Sequence, residues 1–149
     1  MSRIQRTTLV QLRQSTMAVG VVFLVAGVAG FIPGLTTDLH LLRFAGHHSG
    51  ARLFGVFEVS VLHNLVHVAF GAAGVALSRT TAGARTYLIG GGAVYLLLWL
   101  YGVAIDPDSP ANFIPLNEAD NCLHFFLGLV MITLGLVFGR RARPAHRTR

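Results

Sequence analysis

Two short stretches of this sequence place side chains that could do chemistry inside otherwise apolar segments. His63-Asn64-Leu65-Val66-His67 is followed by Gly71, and Asp120-Asn121-Cys122-Leu123-His124 is followed by Gly128. Residues at i and i+4 share one face of a helix, so His63 and His67 can address a single ion. His124 and Asp120 would complete four nitrogen and oxygen ligands for a divalent metal. Haem is a related expectation, with His67 and His124 as axial ligands. Either cofactor would fit a redox accessory protein. A third reading is conduction of protons or a small solute, with Glu58, Asp120 and the histidines lining a half-channel open to one side. The leading expectation is packing. Asn and His hydrogen-bond across helices in lipid, and Asp120 and Asn121 sit where a helix N-terminus welcomes a cap.

The surrounding pattern excludes other chemistry. No complete metal signature such as H-E-x-x-H occurs, and no Ser or Cys nucleophile has a base and oxyanion donors near it in sequence. No catalytic residue is assigned, and the reading leans away from an enzyme. Cys122 has no partner thiol, which excludes an internal disulfide, and reads as a small apolar residue. His40, His47 and His48 read as interfacial, with an outer metal site including Asp38 as the lesser alternative.

The elements that must position these residues are set by composition. Of 149 residues, 53% are hydrophobic and only 12% charged, with a mean hydropathy of +0.61. Soluble domains carry about 25% charged residues, so this chain cannot cover itself with a polar surface. Its apolar content equally excludes disorder. A bilayer-crossing helix needs about 20 apolar residues. Four segments qualify: Met17 to Ile32 (extended back to Leu12), about Val56 to Leu77, Tyr87 to Ile105, and about Asn121 to Phe138. Pro33-Gly34 stops the first, Pro107 and Pro110 follow the third, and Gly139 with an Arg run closes the fourth. The first stretch is too long for the core of a cleaved signal peptide. Residues 1–15 then form a basic N-terminus, 16–139 the four-span domain, and 140–149 an Arg-rich tail lying against anionic lipid.

Net charge is +6, and all twelve basic residues are Arg. Ten of them (3, 6, 13, 79, 85, 140, 141, 143, 147 and 149) fall on one side of the spans, and only Arg43 and Arg52 on the other. The positive-inside rule puts both termini in the cytoplasm of a plasma-membrane protein. The charge is a topology signal, so nucleic acid is not expected as a partner; the bilayer is, with a homo-oligomer or other membrane proteins as further candidates.

The two polar stretches are related by one constant offset: Asn64 matches Asn121, His67 matches His124, and Gly71 matches Gly128. Two helical hairpins entered from the same side would be related by a pseudo-two-fold axis along the membrane normal. The expected fold is an all-α polytopic four-helix bundle. Its outer half holds a cluster of His63, Asn64, His67, Asp120, Asn121 and His124, with Ser60 and Glu58 nearer the surface. Residues 40–45 read as a short amphipathic turn and residues 47–50 as a tight turn. The loop at residues 78–86 is short enough to make spans two and three antiparallel neighbours.

The segments LFGVFEVSVLHNLVHVAFGAAGVAL and NFIPLNEADNCLHFFLGLVMITLGL resemble the two signature blocks of the domain-of-unknown-function 4383 family. The resemblance covers about residues 16 to 139. It implies an integral inner-membrane protein of an actinobacterium with four spans. The motif positions it carries over are His63, Asn64, His67, Asn117, Asp120, Asn121 and His124. It implies no activity.

Overall fold

A computed structural model describes residues 3–46 and 49–141. The turn expected at His47-His48 and the Arg-bearing tail beyond residue 141 lie outside the described residues. Four helices dominate: α1 (Arg3–Ala29), α2 (Val61–Leu77), α3 (Thr81–Ala104) and α4 (Glu118–Arg141). Helix α1 continues without a break from its Arg-bearing start into the apolar stretch. Helix α4 extends past Gly139 to Arg141. Three helices, α1, α3 and α4, are long and apolar enough to cross a membrane; α2, at 17 residues, is shorter.

These helices are apolar on the outside. Only 28–33% of each long apolar segment is buried within the protein. Val21, Val22, Val25 and Val28 of α1, Leu97, Leu100 and Val103 of α3, and Phe126, Leu129 and Val130 of α4 are all exposed. Such continuous apolar surface on three helices is what lipid, rather than water, tolerates. The interior is narrow and aromatic. Leu12, Phe23, Tyr87, Leu88, Tyr95 and Met131 form one buried cluster.

The helices pack as two antiparallel hairpins, α1 with α2 and α3 with α4. Glycines set the close approaches. A Cβ on Gly20 would lie 2.9 Å from the Gly71 carbonyl oxygen, and one on Gly92 would lie 2.8 Å from the Gly128 carbonyl oxygen. Helices α2 and α3 are joined by only Ser78–Thr80, with Thr80 capping α3 through Gly83 N at 3.1 Å. They meet through side chains: Phe70 lies 4.9 Å from Tyr87 and 5.6 Å from Tyr95 between ring centroids. At this end, Arg13 Nε donates to the Ser78 carbonyl at 2.9 Å.

The other end departs from an all-helical reading. A three-stranded antiparallel sheet caps it: β1 (Thr36–Thr37), β2 (Arg52–Leu53) and β3 (Phe57–Glu58), in that order. The second apolar segment therefore begins as strand, and its helix starts only at Val61. The alternating Phe57-Glu58-Val59 stretch pairs with β2, and Ser60 then caps the helix. At the start of the segment expected as an amphipathic turn, residues 40–45, Leu39–Leu41 forms a short 3-10 helix. Ala51, Leu53 and Val59 pack with Ala29 into a second small core beneath the sheet.

Candidate functional site

The polar residues gather at the capped end and repeat across the two hairpins. Ser60 is the N-cap of α2, its Oγ accepting from His63 N at 3.1 Å. Asn117, which the same offset pairs with Ser60, plays this part for α4, its Oδ1 accepting from Asp120 N at 2.9 Å. Asp120 Oδ2 accepts in return from Asn117 N at 3.2 Å, closing a reciprocal capping box. The same oxygen accepts from Glu58 N in β3 at 3.1 Å, and Asn117 Nδ2 donates to the Val56 carbonyl at 2.8 Å. The start of α4 is thereby tied to the sheet that precedes α2. Asp120 is buried.

One turn deeper, Asn64 lies against Gly30 of the segment following α1 and Asn121 against Gly102 of α3, so closely that a Cβ on either glycine would collide with the amide. Asn64 Nδ2 and Asn121 Oδ1 are both buried without a hydrogen-bond partner among the described residues. A further turn down, His67 lies 5.5 Å from Phe23 and His124 lies 5.1 Å from Tyr95 between ring centroids. Gly30 and Gly102, Phe23 and Tyr95, and Gly20 and Gly92 share a second, longer offset. The odd-numbered helices thus repeat at one spacing and the even-numbered ones at a shorter one. The difference is the extra length in the first hairpin, where the sheet forms. The shorter offset alone finds Asn64, His67 and Gly71 with their mates. It misses Gly30, Gly102 and Phe23, which the longer one would have found. Among the other helical glycines, Gly90 has open space where a Cβ would stand, and Gly139 lies against Arg85.

The three histidines come together between the hairpins. His63 stacks on His67, centroids 4.4 Å apart and planes 14° inclined. His67 Nδ1 faces the His63 carbonyl at 3.0 Å, and its Nε2 faces the Tyr95 hydroxyl at 3.5 Å. His63 and His124 are buried, and the Nδ1 of each has no hydrogen-bond partner among the described residues. Two cavities flank the group. One, of about 160 Å³, lies between α1 and α4, against α2 and under the sheet, and includes Ala26, Asp120 and Leu123; the other, of about 220 Å³, lies between α2 and α3, against α4, and includes Leu98, His63 and Val66. His63, His67 and His124 border both. The pairs Ala26 and Leu98, Asp120 and His63, and Leu123 and Val66 obey the same two offsets, so the two cavity walls correspond in part.

Among the described residues no group of three or more His, Cys, Asp or Glu side chains is placed to hold a metal ion. The four residues expected as a set, His63, His67, His124 and Asp120, all border the cavity under the sheet, where both ring nitrogens of His67 face protein groups and Asp120 accepts from two backbone amides. Cys122 is exposed on the apolar surface of α4, and Asp38 with His40 lies in the turn and 3-10 helix before β2.

A lipid-facing helical bundle with a small capping sheet and a buried polar layer defines the class: a membrane protein whose polar groups are turned inward. The chain belongs to the family described as domain of unknown function (DUF4383), whose profile matches residues 13–137. No curated protein and no solved structure matches it.

Proposed function

We propose that this is a multi-pass protein of the actinobacterial plasma membrane with four spans and both termini in the cytoplasm. It acts as a non-enzymatic structural or accessory subunit, its polar cluster holding the extracellular cap on the bundle. One observation carries this reading. The Asp120 carboxylate accepts from the amides of both Glu58 and Asn117, so the most buried acid of the cluster is spent on the backbone of the cap. Helix α2 can count as the fourth span because 17 residues is the lower end of the crossing range, and the polar cap takes over where it starts. The Arg distribution supports placing the cap outside.

Spectroscopy and elemental analysis of the purified full chain test the reading. The expected result is a protein without visible absorption and without stoichiometric metal. A Soret band that disappears in His67→Ala and His124→Ala would replace the structural role with a redox one.

A further inference from the structure

We propose that the cavity between α2 and α3 is a binding site for a neutral, ring-sized molecule that is mostly apolar and bears one hydrogen-bonding group. His63 and His124 receive that group. Both imidazoles are buried, at 8% and 3% exposure, and both border this cavity as well as its neighbour. A neutral imidazole carries one donor and one acceptor nitrogen. With Nδ1 unpartnered in both rings among the described residues, each histidine has hydrogen-bonding capacity that the protein leaves unused. Buried polar groups are almost always satisfied, so two such rings point to an occupant. They border both cavities, and of the two only the α2–α3 cavity has no acidic side chain in its wall among the described residues.

The remaining wall sets the class of that occupant. Leu62, Val66, Leu98, Phe113 and Ile114 are apolar, and among the described residues no acidic or basic chain other than histidine lines the space. A charged ligand would be desolvated there without a counter-charge. The volume of about 220 Å³ falls below the range of about 300–1,000 Å³ that holds larger ligands, but an apolar cavity of about 150 Å³ takes a benzene ring.

The two cavities differ in how they are closed. Leu53, Phe57 and Val59 of the cap lie over the α1–α4 cavity. The α2–α3 cavity has Phe113 and Ile114 in that position, and Phe113 and Val66 are half exposed on the apolar surface. A ligand therefore reaches His63 and His124 sideways from the bilayer. Only this route depends on the membrane placement proposed above.

The test uses the full chain in lipid nanodiscs with 4-fluorophenol and fluorobenzene as probes, followed by fluorine NMR against empty nanodiscs. The expected result is saturable binding of 4-fluorophenol, about tenfold tighter than fluorobenzene, the worth of one well-made buried hydrogen bond. His124→Leu should remove that preference. Leu98→Trp, which fills the cavity without touching a histidine, should abolish binding of both probes; Val66→Trp fills it from the other helix if the first variant does not fold. Absence of saturable binding overturns the proposal, as does equal affinity for the two probes or undiminished binding in the filled variants. None of these outcomes alters the metal and absorption results that test the structural role, so the two readings fail separately.

Discussion

Phe23 and Tyr95 lie ring against ring, centroids 5.1 Å apart and planes 33° inclined. Each also touches the histidine of its own hairpin, Phe23 with His67 and Tyr95 with His124. The pair therefore marks the place where the pseudo-two-fold axis passes between the hairpins. Both rings are nearly inaccessible, so the contact is dry.

A double-mutant cycle measures that contact. Phe23→Leu, Tyr95→Leu and the double variant, unfolded by denaturant in detergent, should show a coupling of about 0.5–1.5 kcal/mol. Additive effects would mean that the hairpins do not rely on this pair.

Gly30→Ala and Gly102→Ala should each destabilise the fold by about 1–3 kcal/mol, because the new methyl enters the space of Asn64 or Asn121. Gly90→Ala is the control. It faces open space, and its stability should stay within about 0.5 kcal/mol of the parent. The same denaturation series reads all three.

Asp120→Ala leaves the amides of Asn117 and Glu58 without their acceptor. A loss of about 1–3 kcal/mol is expected. Hydrogen exchange should localise it, with faster exchange at Glu58 and Asn117 and unchanged protection near Gly20 and Gly71. Uniform loss of protection would show that Asp120 supports the bundle rather than the cap.

Topology can be read by cysteine labelling in a Cys122→Ala background. A membrane-impermeant maleimide should label Asp108→Cys from outside intact cells and leave Arg79→Cys unlabelled; both positions are exposed. The opposite pattern would invert the proposed orientation. Asn112 is unsuitable as a reporter, since its buried amide bonds Pro107 and Leu116.

Much of the architecture is legible along the chain. Apolar length, the prolines at 33 and 107, and the paired recurrence of Asn and His are features of the linear sequence. The recurrence even places Asn64 and Asn121 at one level. Their glycine partners are not legible in the same way, because Gly30 and Gly102 recur at the longer offset and the sheet segment separates the two registers. The strand at Phe57–Glu58 is hidden for a related reason. Two strand residues beside an apolar helix read as more helix until a partner strand is known.

Taken alone, the sequence determines the solvent and the helices. With 12% charged residues there is too little polarity for water, and in lipid every backbone group must bond within its own segment, so apolar stretches become helices. Tertiary structure decides which helices meet closely, that Asp120 serves the backbone of the cap, and that two histidines beside the cavities find no Nδ1 partner among the described residues. Those outcomes depend on contacts between residues far apart in the chain. Whether a buried polar atom finds a partner is settled only when two distant backbones come to rest at a particular depth and rotation.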